Sequence, residues 1–435
     1  MFEDRAGGDL WWDSVRFDVC YFLFDCLTGL TYSSAHRPIA RARRLGIVRR
    51  TLHREALFAK ALVSRRDLLV IRAPRSMNAG RRHDVVLDPI AENFASRSLT
   101  INTMPRRFHL PDCNHTRWVT AEPPKFAHTI NMFLEVFGID SEHALPLITF
   151  IRRLRAEYRC HVEAYERLFD KMQPKGVLLV QNGIEKALFH VANTRGVPTI
   201  EAQHGLIGFG HPAYSYPTDV NYDQQTGMPS LFLTFSDFWS VGGYYPAGRH
   251  AVVGTDHFGT GIDPVSNPLG TIMIIAADIY HQELMELART LAIAMPDRHF
   301  VYKLHPNQRI DEPAIIAAVD DLSNIAIGSA TTPAVQLMDD VSHLIAIQST
   351  VVYEALQHGR RICIIPRYDY HIHSDIFEHP LVAVTENVAQ LIAVLRKPAL
   401  PDSGPTFFAP FDAGEAQRLV ETTLTGGVGS GVVAS

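Results

Sequence analysis

Cysteine is scarce in this chain, five among 435 residues. Cys20, Cys26, Cys113, Cys160 and Cys363 include no Cys-x-x-Cys pair. An odd number with no paired spacing argues against a zinc knuckle or a disulfide framework and fits a reducing cytosol. Long apolar runs are missing too. The longest early one, Val19 to Leu30, is broken by Asp25 and falls short of the ~20 residues a spanning helix needs. Glu3, Asp4 and Asp9 precede that run, so no secretory signal is expected. There is no excess of positive charge: 41 Lys and Arg stand against 46 Asp and Glu, a formal net charge of -5. A global nucleic-acid footprint is therefore absent. The chain also lacks a GxxxxGK[ST] loop, a GxGxxG after a strand and a GxSxG elbow, which leaves nucleotide hydrolysis, dinucleotide oxidoreduction and serine-hydrolase chemistry without support. Asp256-His257, His281 and Tyr370-His371-Ile372-His373 offer no i, i+4 pair with a remote carboxylate, so no metal or other cofactor is expected.

What is present is an ordinary globular composition, 46% apolar, 20% charged and 9% aromatic, in a length that suggests about two to three domains. Residues 1 to about 130 are the least regular. Trp11 to Leu30 reads as an apolar helix and 36–66 as a basic helical pair; Asp67–Ile71 and Asp84–Leu87 read as strands. Residues 126–172 read as two helices, the second stopped by Pro174. From Gly176 the pattern becomes regular. Short apolar runs at 176–180, 199–202, 230–234 and 251–253, then at 271–276, 299–303, 325–327, 343–347 and 361–365, are interleaved with helical stretches. Strands at that spacing imply parallel sheets with right-handed crossovers. A linker rich in glycine and proline opens at Gly254. The expected organisation is an N-terminal domain over 1–255, a C-terminal domain over 256–400, and a helix with a frayed tail over 401–435.

Three segments could carry chemistry. Gln203-His204-Gly205 follows the strand ending at Ala202, at the carboxyl edge where open α/β sheets bind ligands; a histidine there suits a general base, and a tight turn is the plainer reading. Lys303-Leu304-His305-Pro306 ends a later strand, and a cation beside an imidazole suits a phosphate, or else forms a surface loop stopped by proline. Gln348-Ser349-Thr350 opens a helix containing Glu354. Ser349 there can cap the helix, and the uncapped N–H groups favour an anion; a well-capped structural helix is the alternative. A loop of Gly208, Gly210, His211, Tyr214 and Tyr216 follows the His-Gly turn and could close over an acceptor or simply pack on the surface. Gly254-Thr255 is either a close backbone approach to a ligand or a plain hinge.

Taken in order, these segments over about residues 175–365 resemble GT-B glycosyltransferases of bacterial surface polysaccharide synthesis. The resemblance is to the group of CDP-glycerol glycerophosphotransferases, capsule Kdo transferases and sialyltransferases with an HP motif. It implies an α/β fold of two Rossmann-like domains whose parallel sheets face a central cleft. It also implies transfer of a sugar or polyol phosphate from a nucleotide-activated donor, CMP- or CDP-linked, to a hydroxyl of a glycan or lipid-linked acceptor, without metal. His204 would be the base; Gln203, Gly205, His211 and Tyr214 would meet the acceptor. Lys303, His305, Pro306, Ser349, Thr350, Glu354, Gly254 and Thr255 would meet the donor. The acidic base motif of the sialyltransferases is absent, Asn182-Gly183 being its nearest counterpart, which weighs against sialyl transfer. The basic stretch 37–75 fits either a peripheral contact with the cytoplasmic face of the inner membrane or a solvated helical face. Alternatives for the whole are a UDP- or GDP-sugar transferase, a nucleotide-sugar epimerase of the same architecture, and a non-catalytic sugar-nucleotide-binding protein.

Overall fold

A computed structural model describes residues 11–29, 56, 59, 66–74, 76–78, 81–102, 126–180, 185–216, 227–240, 245, 247–258, 263, 265–277, 280–305, 308, 311–367, 370–399 and 404–426. The basic segment 36–66 lies almost wholly outside them, as do Asn182-Gly183, Pro306 and the tail beyond Gly426.

The first half begins with α1 (Trp11–Thr28), β1 (Leu68–Arg72), and the short antiparallel pair β2 (Ser76–Asn78) and β3 (Arg81–His83). It continues with α2 (Leu87–Ala91), β4 (Ser98–Asn102), α3 (Phe126–Val136), α4 (Ala144–Met172), β5 (Gly176–Val180), α5 (Lys186–Thr194), β6 (Thr199–Ala202), β7 (Leu231–Thr234) and β8 (His250–Val252). Six of these strands form one parallel sheet in the order β4-β1-β5-β6-β7-β8. Both faces are covered, as parallel sheets require. Leu69, Ile71, Val177 and Leu179 pack against α4 and α5 through Leu168, Phe169, Leu188 and Phe189. Their alternates Leu68, Val70, Leu178 and Val180 face the other way, towards Leu87 and Ile90 of α2. The period of two splits each apolar run between two layers. A third cluster joins α1 to the α3–α4 hairpin through Val15, Phe22, Ile130 and Phe150.

The second half runs β9 (Thr271–Ile275), α6 (His281–Ala294), β10 (Phe300–Lys303), α7 (Glu312–Ala317), β11 (Ile325–Gly328), β12 (Val341–Ala346), α8 (Val351–Gln357), β13 (Arg361–Ile364), β14 (Val382–Val384), α9 (Val388–Leu395) and α10 (Ala413–Leu424). Its strands form a second parallel sheet, ordered β11-β10-β9-β12-β13-β14. The chain leaves β9 towards one edge and returns to the other side of it at β12. The topological switch point, where open sheets bind ligands, is therefore between the carboxyl ends of β9 and β12. Two such sheets with flanking helices are the two-domain α/β architecture of GT-B proteins expected from the sequence.

Two expectations change. Asp84–Leu87 is a turn leading into a helix rather than a strand. The Asp84 carboxylate accepts from the N–H groups of Ala73 at 2.9 Å and Leu87 at 3.0 Å, and that side chain-to-backbone turn outweighs the β-propensity of Val85-Val86. Cys160 is disulfide-bonded, against the expectation of reduced thiols, whereas Cys20, Cys26 and Cys363 are free. The C-terminal helix returns to the first sheet, where Ala416, Leu419 and Val420 bury against Leu68, Val70 and Leu231. The connecting strap is held on the way: Gln357 Oε1 accepts from the N–H groups of Phe407 at 2.8 Å and Phe408 at 2.7 Å.

Candidate functional site

The two carboxyl edges meet. A Cβ built on Gly205, in the turn after β6, would lie 3.5 Å from Thr350 Oγ1, in the turn after β12. Beyond it, the Phe209 N–H donates to Asp375 Oδ2 at 3.1 Å. Any side chain at Gly210 would run into the His371 carbonyl 2.3 Å away. The glycine-rich loop thus lies directly on the second domain, and its glycines are the condition of that approach. Apolar packing continues across the junction, from Leu206, Phe235 and Trp239 to Leu344, Val352 and Tyr353.

On the first-domain side, His204 Nδ1 pairs with Tyr214 Oη at 2.9 Å. Tyr214 Oη donates to Glu201 Oε1 at 2.8 Å, and Tyr245 Oη donates to Glu201 Oε2 at 2.6 Å. Glu201 is wholly buried on β6, and Tyr214 is 1% exposed. Tyr214 is therefore enclosed behind His204 rather than presented to an acceptor. Gln203 is likewise enclosed: its amide nitrogen donates to the Gly205 carbonyl at 2.8 Å, and its Oε1 accepts from the Phe235 N–H at 2.9 Å. Both ends of the amide shape the turn, so the expected acceptor contact through Gln203 is corrected to a structural one. His211 is partly buried, its ring centroid 6.2 Å from that of His204. Burial, then the nearby Arg16 charge, pushes its pKa down to about 4, so it is neutral at pH 7.

Behind this group lies a charged cluster. The Lys186 ammonium donates to Tyr216 Oη at 2.8 Å and the Gly227 carbonyl at 2.9 Å, and pairs with Asp13 at 3.2 Å. Burial lowers the Lys186 pKa, opposed by Asp13. Asp13 also accepts from Tyr216 at 2.8 Å, tying α1 to the end of the glycine-rich loop.

On the second-domain side, β10 and β12 flank β9, which puts Lys303 and the Ser349 turn about 10 Å apart across one strand. Lys303 is 6% exposed and its ammonium donates to the Leu304 carbonyl; burial lowers its pKa, opposed by Glu312. The His305 N–H donates to Gln308 Oε1 at 2.8 Å, and the Gln308 N–H returns to the His305 carbonyl at 2.9 Å. That fixes the Gln308 amide, yet its Nε2 is buried with no hydrogen-bond partner among the described residues. Ser349 Oγ accepts from the Val351 N–H at 3.3 Å. The helix starts one residue later than expected, with Thr350 rather than Ser349 at the cap position and no side-chain cap bond. Glu354 is buried on the same helix. His373 stands behind: its Nε2 accepts from the Ser349 N–H at 3.3 Å and its Nδ1 has no partner among the described residues. Burial drives its pKa down to about 3.

Gly254 and Thr255 do not join that group. Gly254 adopts φ +71°, and a Cβ there would sit 2.0 Å from the Pro410 carbonyl oxygen. The close approach is that of the protein's own returning strap, and the Thr255 N–H donates to Ala409 at 2.8 Å. Both residues line a small cleft with Gln203, Val85, Pro89 and Phe235. Among the described residues no group of three or more His, Cys, Asp or Glu could hold a metal, and no helix is long and apolar enough to cross a membrane.

Glu201, Gln308 and His373 carry none of the expected roles. For Glu201 and Gln308 the only sequence signal is a polar residue inside or beyond an apolar strand; His373 belongs to the Tyr370-His371-Ile372-His373 segment, considered above only for metal.

No family model matches this chain, and no curated protein does. Among solved structures it is similar to UDP-GlcNAc 2-epimerase from Neisseria meningitidis bound to UDP-GlcNAc, at 14% identity over 82% of this chain and 99% of that one, TM-score 0.44. It is also similar to MurG of Acinetobacter baumannii, at 10% identity over 83% and 99%, TM-score 0.45. A UDP-glucose:anthocyanidin 3-O-glucosyltransferase in complex with UDP matches at 10% identity over 84% and 96%, TM-score 0.45. Overlap this loose says nothing of what this chain binds.

Proposed function

We propose that the protein is a glycosyltransferase that moves a sugar or polyol phosphate from a nucleotide-activated donor to a hydroxyl. The observation that carries this reading is the meeting of the His204-Gly205 turn with the Ser349-Thr350 turn at the switch point of the second sheet. A base on one domain faces an anion-binding edge on the other, the arrangement that transfer from a phosphate leaving group needs. His204 takes the proton of the attacking hydroxyl. The Ser349 and Thr350 hydroxyls, His305 and Lys303 hold the leaving phosphate, with no metal required; Pro306, which has no N–H to donate, biases the backbone of His305. The Gln308 Nε2 adds a buried donor beside His305, and Glu354 reaches the donor's sugar or ribose. Gly205 and His211 border the acceptor. Contact between the two domains excludes the water that would otherwise hydrolyse the donor.

The donor class proposed is CMP- or CDP-linked, and the acceptor a bacterial surface glycan or its lipid-linked precursor. The protein would work in the cytoplasm, its basic stretch 37–75 resting on anionic lipid. Thermal shift against CMP, CDP, UDP and GDP tests the donor, since a ligand bound to the native state raises the melting temperature. A response to UDP or GDP alone removes the cytidine assignment, and no response to any removes the reading. A product formed from the donor without acceptor identifies an epimerase instead. Failure to co-sediment with anionic liposomes at low salt removes the membrane contact.

A further inference from the structure

The hydrogen bonds behind His204 decide which of its ring nitrogens holds the proton. As a carboxylate Glu201 can only accept, and it does so from Tyr245 on one oxygen and from Tyr214 on the other. Tyr214 has a single hydroxyl proton, and it goes to Glu201. The Tyr214 oxygen can then only accept from His204, so Nδ1 carries the ring proton and the lone pair is on Nε2. Glu201 is wholly buried and Tyr214 and Tyr245 nearly so. The three rings and the carboxylate pack together, Tyr214 on Tyr245 with centroids 5.1 Å apart and on His204 at 5.6 Å.

We infer that Glu201 and Tyr214 are positioning residues that act through each other to hold His204 in its Nδ1–H tautomer. They orient its ring and present Nε2 as the basic atom. Once His204 has taken a proton on Nε2, both ring nitrogens are donors; the Tyr214 oxygen keeps the Nδ1–H, and the Glu201 charge two bonds away stabilises the imidazolium. The inference rests on the group-transfer reading only for the use made of Nε2. The tautomer is a property of the free protein.

The test is nitrogen NMR of the histidine side chains in the full-length protein without ligand, His204 being assigned by its loss in His204→Ala. The expected result is a proton on Nδ1 at neutral pH in the wild type. In Tyr214→Phe, which keeps the ring but removes the hydroxyl, and in Glu201→Gln the proton redistributes to Nε2. Both variants should keep the wild-type thermal shift with whichever of CMP, CDP, UDP or GDP responds. Where turnover is measurable, kcat in Tyr214→Phe falls at least about tenfold and at most the ~10²–10⁴ that base catalysis supplies, with donor KM unchanged. A wild-type proton on Nε2, or an unchanged tautomer in a folded variant, overturns the inference and leaves the glycosyltransferase reading standing. If a variant fails to fold, the wild-type spectrum alone decides. Loss of the nucleotide response in the wild type would sink that reading without touching the tautomer.

Discussion

Around His204, on the first sheet's edge, Glu201, Gln203, Tyr214 and Tyr245 are bonded to one another or to main chain. Around Ser349 and His305, on the second, buried donors at Gln308 Nε2 and His373 Nδ1 have no partner among the described residues. A buried unmet donor costs about 1–3 kcal/mol, so a fold tolerates it where something else meets it. The first sheet has such groups too, at Ser236 Oγ and His250 Nδ1, so the contrast is between the bonded set around His204 and the orphaned donors around Ser349 and His305, which under the proposed function a ligand would complete. It also explains why removing a group should act on turnover at one edge and on affinity at the other.

The sharpest way to break the contrast is His204→Ala. Turnover should fall by roughly 10²–10⁴ while the nucleotide thermal shift persists; a parallel loss of nucleotide response would mean the edges do not divide the work. Next comes Gln308→Glu, which keeps the acceptor for the His305 N–H but replaces the orphaned donor by an acceptor. Nucleotide affinity should drop more than about tenfold, since a charged-group contact of ~1.5–3 kcal/mol is lost; unchanged affinity would remove Gln308 from the site. Gly254→Ala separates a backbone effect from a ligand effect. It forces a side chain into φ +71° against Pro410, at a cost on the order of 1–3 kcal/mol, seen as a lower melting temperature. Nucleotide affinity measured below the transition should hold.

The pH dependence of stability sharpens the comparison further. His343 and His373 are both fully buried, with pKa values held down near 4 and 3 by burial. The unfolded chain takes up these protons near pH 6.5 and the native state does not. Stability should therefore be full above about pH 6.5 and fall as pH drops towards those values, by up to about 1.4 kcal/mol per pH unit for each group. His343 is satisfied on both sides by Ser342 and the Lys397 carbonyl and lies away from the edges. His343→Gln should flatten the slope by one proton and leave nucleotide affinity alone; an unchanged slope would mean His343 is charged in the native state. The smallest effect is expected from Asp375→Ala, which removes the acceptor of the Phe209 N–H. About 1 kcal/mol of loop docking is at stake, read as a few-fold rise in acceptor KM.

Much of the second domain was legible. Ile272 to Ile275 and Ile362 to Ile364 are apolar runs buried on both faces, and such runs mark central parallel strands in any sequence. Ser98–Asn102 was not legible: as an edge strand it exposes Thr100 and Asn102 and carries no continuous run. Asp84 misled because its turn acts through a carboxylate that a propensity count reads only as a polar residue. At the site, His204, His305 and Ser349 stood out because a polar residue beyond a strand's carboxyl end needs only local order to be noticed. Glu201 and Gln308 did not, His373 drew notice only as a metal candidate that was set aside, and the roles of Gln203 and Gly254 were not legible either. Their meaning depends on partners such as Tyr245, His305, Ser349, Phe235 and Pro410.

What the sequence determined by itself is the alternation of strand and helix and the residues that follow each strand, because periodicity and turn chemistry are short-range. Which carboxyl edge faces which, which histidine nitrogen is basic, and which polar groups are left for a ligand were decided only by the tertiary structure. Strand order, domain apposition and the burial of Glu201 arise from contacts between residues tens to hundreds of positions apart, and a hydrogen bond has direction only once both partners are in place.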